Sequence, residues 1–439
     1  MVCAQIWSTT ADPVDFHMVI TGARTLSADA NGHMRGLIDE SLDSRGDRMI
    51  WRNAVVWGMV TYVVSRFIVL AGAAAVSAAR VSAVVECEAQ ELAQCAIRPK
   101  SAASGIIEAL TSWDGQWYFS LVRHGYPRSV PPLITYAQPE ARAAFFPLFP
   151  WLVRAVNVVM PGNDVAAALF VNVFLGAMFV LLVGALARAW TGGQHAKKAM
   201  MIAALYPGSF VLSFAYSEAL FLALAAASLL AWHKQRYLIA GLLAALATAS
   251  RPNAVALLAA YLVGSLLLIR RDRAWRSLIT VFVAPLGFVF AQGYIAWRAN
   301  EARVWMRVQS EAWGEGASFG GTAVRRVVKF FLHPLSSPSN VITVLALVSL
   351  VIGFAALTRT RLPAYAIVYT TVITFLMLLP ETVTARPRFV YSAFPLMIAV
   401  VAAWPKRWND ELWAIFMALC GSALFGLSVL YGLYAVVIP

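Results

Sequence analysis

The stretch SFAYSEALFLALAAASLLAWHKQR, residues 213–236, carries one carboxylate, Glu218, ahead of a long apolar run that a short basic cluster closes. A carboxylate so close to hydrocarbon is costly, and Lys and Arg between apolar runs set topology in a membrane. The stretch therefore reads as a turn, a membrane-spanning helix and a loop on the far side. Ser217 stands where an N-cap belongs and Glu218 suits the positive end of the following helix dipole.

The same pattern extends in both directions. Apolar runs fall near residues 53–83, 165–189, 199–215, 219–232, 237–250, 254–269, 277–297, 341–357, 363–380, 389–404 and 411–437, predicting about eleven spans. The chain is 60% hydrophobic and 13% charged, against about 45–50% and 25% in soluble domains. The runs are too numerous for a lone signal peptide. The formal charge of +13 does not indicate nucleic acid, because the basic residues cluster in GGQHAKK (192–198), HKQR (233–236), RRDRAWR (270–276), TRTR (358–361) and KRW (406–408). Alternation of eleven spans places all five clusters on one side, and the positive-inside rule makes that side the cytoplasm. Residues 1–50 are polar and read as a flexible cytoplasmic tail, with residues 51–439 the polytopic domain.

The other side receives the 84–164 segment, the turns bearing Glu218 and Arg251, the loop 298–340, and PETVTARPRF with Arg386 and Arg388. Cys87 and Cys95 share a short polar loop there, where an oxidising compartment favours a disulfide. Asp114 lies in SWDGQWYFSLVRHGYP (112–127), and on a helix it shares a face with Trp117, Tyr118 and Leu121. Trp113 and Tyr118 suit a membrane interface, so the segment reads as an interfacial helix. Burial against these rings would raise the Asp114 pKa and sharpen it as a base, while the aromatic faces suit sugar rings. The ordinary reading is an aromatic belt with Asp114 as a helix-end charge. Arg251, Arg386 and Arg388 lie against the positive-inside trend, and guanidinium groups suit phosphate or lipid headgroups. Arg66 lies inside the first span, where a carboxylate partner is the ordinary expectation. In loop 298–340, the glycines from Gly314 to Gly321 suggest mobility, and Arg325, Arg326 and Lys329 beside Phe330 and Phe331 read as an amphipathic surface helix. No nucleotide motif, no D-x-D and no His cluster with ligand spacing occurs, so no metal or other cofactor is expected.

The stretches SWDGQWYFSLVRHGYP, AAFFPLFPWLVRAV, LYPGSFVLSFAYSEALFLALAAASLLAW, LIAGLLAALATASRPNAVALL and RPRFVYSAFPLMIAV follow one another between residues 112 and 400. Together they resemble the PIG-V family of integral-membrane mannosyltransferases, of the GT-C glycosyltransferase class. The Ala- and Arg-rich composition points to a bacterial member. The resemblance implies an all-α polytopic fold with outer-face interfacial helices, a plasma-membrane location and an extracytoplasmic active site. It also implies a polyprenyl-phosphate sugar donor and inversion at the anomeric carbon, with Asp114 as base. Arg251, Arg386 and Arg388 would hold the donor phosphate; Trp113, Trp117, Tyr118, His124 and Glu218 would line the substrate site, with Arg123 at its edge. The acceptor is lipid-linked, a glycan or a protein. A polytopic lipid or glycan transporter is the alternative; it predicts mid-span charges and internal repeats, and only Arg66 lies well inside a span.

Overall fold

The computed structural model describes residues 46–80, 101–334, 336–381, 386–405 and 410–433. Cys3, Cys87 and Cys95 lie outside the described residues, and with them the expected disulfide; Cys420 is a buried free thiol. The described residues form helices joined by short turns, with one isolated bridge between Ala317 and Pro380. This is the outcome that lipid imposes, because a helix satisfies its own backbone polar groups.

Helix α1 (Gly46–Arg80) takes in residues 46–50, which the sequence reading gave to the tail. From residue 101 the chain forms α2 (Ala102–Leu110), α3 (Asp114–His124) and α4 (Leu148–Val159) before the long α5 (Asp164–Thr191). Asn163 caps α5 by accepting from the Ala166 N–H at 3.0 Å. Then come α6 (Ala196–Leu205), α7 (Glu218–His233), α8 (Tyr237–Ser250), α9 (Ala256–Asp272), α10 (Leu278–Val283) and α11 (Leu286–Ala299). After α12 (Val304–Glu311) and α13 (Gly321–Leu332), the chain continues through α14 (Pro338–Leu357), α15 (Ala364–Leu378), α16 (Pro387–Val390), α17 (Pro395–Ala402) and α18 (Asp410–Gly432). Six described helices are long and apolar enough to cross a bilayer: α1, α5, Pro252–Asp272, Trp275–Ala299, α14 and α18.

Two of the expected spans are broken. The run 199–215 ends α6 at Leu205 and continues as a 3-10 turn over Pro207–Leu212, and the run 389–404 is split into α16, a 3-10 turn over Tyr391–Ala393, and α17. Pro207 and Pro395 lack the N–H an unbroken helix needs. The breaks pack together: a Cβ on Gly208 would lie 2.2 Å from the Pro387 carbonyl oxygen, so only glycine permits that approach. Irregular backbone at membrane depth is tolerated where protein covers it. Here the Asn172 side chain donates to the Phe214 carbonyl and, at 2.9 Å, to that of Tyr216. Tyr391 donates to the Ala203 carbonyl.

Arg66 belongs to this bracing and has no carboxylate partner among the described residues, contrary to the sequence expectation. Its guanidinium donates to the Ser213 hydroxyl at 2.8 Å, the Ser209 carbonyl at 3.0 Å and the Ser65 and Ser209 hydroxyls at 3.2 Å. Serines within reach satisfy its donors without a second buried charge. Other polar contacts form at the far end of α5 and α7. Trp190 donates to the Tyr365 hydroxyl at 3.0 Å, His233 meets the same hydroxyl at 3.1 Å, and Lys198 pairs with Asp410 at 3.3 Å.

The glycine-rich segment before α13 is pinned to the end of α15. The Ser318 and Gly320 N–H groups donate to the carbonyls of Leu379 and Leu378 at 2.8 and 3.0 Å, and Glu381 N–H donates to Gly316 at 2.9 Å. Gly314 and Gly320 take positive φ values of 60° and 89°. These two glycines thus serve turn geometry.

Candidate active site

The sequence turn before α3 sets the site. Trp113 adopts φ 56° and ψ −117°, a region that side chains other than glycine rarely occupy. Its indole N–H donates to the Tyr431 carbonyl at 2.9 Å and holds it there. The strained turn makes Asp114 the first residue of α3, with its side chain 13% exposed. The rest of α3 is not a surface belt: Tyr118, Phe119, Leu121 and Val122 are buried.

Asp114 is met by a cation, not by rings alone. Arg388 Nη1 donates to Asp114 Oδ2 at 2.8 Å. The same Nη1 lies 3.8 Å from Glu218 Oε1, and Arg251 Nη1 lies 2.7 Å from Glu218 Oε2. The four charges alternate in sign along one line of contacts: Asp114, Arg388, Glu218, Arg251. Burial alone would pull Arg388 down, but Asp114 and Glu218 beside it hold its pKa above the ordinary value. The Arg388 guanidinium also covers the Phe389 ring at 4.6 Å and the Tyr216 ring at 5.6 Å.

Ser217 is the N-cap residue of α7, yet its hydroxyl does not cap. It is taken by Tyr118, 2.5 Å away, and accepts from Arg251 Nη1 at 3.2 Å. Burial pushes the Tyr118 phenol well above its usual range; Arg251 opposes, and Glu218 and Asp114 add to the rise. Tyr118 therefore stays neutral and positions Ser217. Glu218 is 1% exposed, and neither carboxylate oxygen has a hydrogen-bond donor in good geometry despite the 2.7 Å ionic contact. Arg388 Nε and the hydroxyls of Tyr216 and Tyr431 are likewise buried without a hydrogen-bond partner. Unsatisfied polar atoms gathered this closely call for an explanation beyond packing, and they make the array the candidate site.

Arg251 connects this array to a cavity of about 390 Å³. Its polar lining is Arg251, Asn253, Gln309 and one carboxylate, Glu315, while Ile373, Leu376, Met377 and Phe389 contribute apolar walls. A ligand with a polar head and a hydrocarbon tail matches that distribution, with Arg251 the one cation in the lining.

Other expected site residues go elsewhere. His124 is exposed, and Arg123 pairs with Asp164 at 2.6 Å. Trp117 belongs to an aromatic group with Tyr136, Phe145 and Trp313, at ring separations of 5.3, 6.3 and 5.8 Å. Arg386 is 1% exposed and donates to the Ser339 hydroxyl at 3.2 Å, with none of the four array members as its hydrogen-bond partner. The sequence reading missed Tyr216, Tyr431, Trp313 and Gly208. Of these, Gly208 and Tyr216 lie inside a quoted stretch, while Tyr431 comes from the last helix and carried no signal of its own. Among the described residues, no group of three or more His, Cys, Asp and Glu is placed to hold a metal ion.

No protein-family model matches the chain, and no curated protein does. Solved structures give partial matches. ArnT from Cupriavidus metallidurans bound to undecaprenyl phosphate aligns at TM-score 0.45 and 15% identity, over 73% of this chain and 64% of that one. The same enzyme in the apo state aligns at 0.44 and 17% identity, over 72% and 62%. The Archaeoglobus fulgidus oligosaccharyltransferase in the apo form aligns at 0.43 and 14% identity, over 87% and 57%. In each case this chain spans less than two thirds of the other.

Proposed function

We propose that the chain is an integral-membrane glycosyltransferase of the GT-C class that moves a sugar from a polyprenyl-phosphate donor to an extracytoplasmic acceptor. The observation that carries this reading is the alternating array of Asp114, Arg388, Glu218 and Arg251, joined through Arg251 to an apolar-walled cavity. The resemblance of the five quoted stretches to PIG-V enzymes supports it and makes mannose the expected sugar.

The chemistry assigns each member a task. The prenyl chain lies along Ile373, Leu376 and Met377, and the donor phosphate meets Arg251. Asp114 takes the proton of the acceptor hydroxyl, whose oxygen bonds to the anomeric carbon with inversion. The bond from that carbon to the phosphate oxygen breaks, and its electron pair leaves on the phosphate. Arg388 is placed to stabilise that developing charge, because it bridges Asp114 and Glu218 at the centre of the array. Glu218 holds both arginines in place. Phosphate charge is thereby met by guanidinium groups, and the proposed reaction needs no metal.

The test is transfer of radiolabelled mannose from polyprenyl-phosphate mannose in membranes. Asp114→Asn is expected to lower the rate by about 10² to 10⁴, the usual worth of general base catalysis, with normal expression and membrane insertion. A wild-type rate in that variant would remove Asp114 as the base.

A further inference from the structure

We infer that the cleft between α13 and the start of α14 is a second anion site, which takes the phosphate of a phosphate-bearing lipid. It is separate from the Arg251 cavity, with no lining residue in common. The cleft encloses about 430 Å³ and is lined by Arg325, Arg326 and Lys329 from α13, by Ser337 and Ser339 at the start of α14, and by one carboxylate, Glu381. The Glu381 carboxylate packs toward Gly316: a Cβ there would lie 2.6 Å from Glu381 Oε2. The lining thus carries an excess of positive charge beside the N-terminus of a 20-residue helix, which itself favours anions.

A buried cation stands behind this wall. Arg386 is 1% exposed, its Nη1 donates to Ser339, its Nε has no hydrogen-bond partner, and no carboxylate among the described residues forms an ion pair with it. Burial, with the neighbouring cations of Arg326 and Arg388 adding to it and Tyr431 opposing, pulls its pKa to about 10, so it remains charged at neutral pH. A buried guanidinium without a counter-charge is expensive, and an anion in the cleft supplies one. The lipid source follows from the shape of α13. Val324, Val328, Phe331 and Leu332 are exposed at helical spacing on one side, and Arg325, Arg326 and Lys329 occupy the adjoining face. This is how an amphipathic helix lies at a membrane surface beside anionic headgroups.

The site does not depend on the sugar-transfer reading, and its test uses binding alone. Full-length protein in detergent is titrated with phosphatidylglycerol and, separately, with a diacylglycerol of the same chains, and bound lipid is read by native mass spectrometry. Arg325 and Lys329 are exposed, so Arg325→Gln/Lys329→Gln leaves the core untouched; an unchanged melting temperature checks this, and Lys329→Gln alone serves if it falls. The expected result is one phosphatidylglycerol held about tenfold more weakly by the double variant, in line with loss of charge-assisted contacts, and no comparable binding of diacylglycerol. Competition by inorganic phosphate at millimolar concentration would show that the phosphate alone suffices; failure to compete, with the variant effect intact, would assign the site to the lipid headgroup. Equal phosphatidylglycerol binding by wild type and variant would overturn the proposal.

Discussion

Arg388 reaches both carboxylates of the array, at 2.8 Å from Asp114 and 3.8 Å from Glu218, whereas Arg251 pairs with one of them, Glu218, and donates to Ser217. The two arginines should therefore fail differently. Arg251→Ala removes the charge that lines the cavity and is expected to raise the donor KM about tenfold or more, with a smaller effect on kcat. Arg388→Ala leaves Asp114 and Glu218 without the cation between them and is expected to lower kcat most. Steady-state kinetics with varied donor separates the two, and unchanged donor kinetics in both would dissolve their proposed roles. All four charged members of the array stood out in the sequence: Glu218 and Arg251 as single charges between apolar runs, Asp114 as a carboxylate among aromatic residues, and Arg388 as one of two arginines before the run 389–404. Their pairing was not: Asp114 and Arg388 are 274 residues apart, and no local pattern records which helix ends meet. Arg386 shows the limit most clearly. It sits two positions from Arg388 in the same motif, yet it bonds to Ser339 while Arg388 bonds to Asp114.

The elements that bring the charges together are the two broken spans. The sequence pattern reads 199–215 and 389–404 as plain apolar spans, because hydropathy registers composition and is blind to backbone path. Pro207 and Pro395 hinted at the breaks; the contact of one break with the other depends on Gly208 and was not legible. Gly208→Ala would force a methyl group within 2.2 Å of the Pro387 carbonyl oxygen, which is backbone and can move only by shifting Arg386 and Arg388. A cost of about 1–3 kcal/mol is expected, seen as a lower melting temperature together with a loss of transfer activity larger than the stability change explains. Normal activity in Gly208→Ala would show that the turn tolerates displacement. Arg66 braces the same turn through Ser209 and Ser213. Arg66→Met is expected to destabilise the protein by about 3 kcal/mol, because it leaves buried serine groups unpaired. Thermal unfolding in detergent measures this, and a change near zero would mean that the hydroxyls find other partners.

At the scale of the molecule, charge is sorted between the two ends of the helices. The array and the Arg251 cavity occupy one end, while Trp190, His233, Tyr365 and the Lys198–Asp410 pair mark the other. The apolar wall of the cavity, and Lys198 and His233 at the opposite end, both follow if a lipid-borne donor enters from the outer leaflet and the basic loops of the sequence face the cytoplasm. That orientation is a proposal with a direct test. Gln116 and Lys234 are both exposed, one on α3 beside the array and the other in the turn after α7. In a background with the native cysteines replaced by serine, Gln116→Cys is expected to react in intact cells with a maleimide that does not cross membranes. Lys234→Cys is expected to react only after permeabilisation. The reverse pattern would place the array in the cytoplasm, where a donor held in the outer leaflet does not reach Arg251, and the proposed reaction would have to be abandoned for this chain.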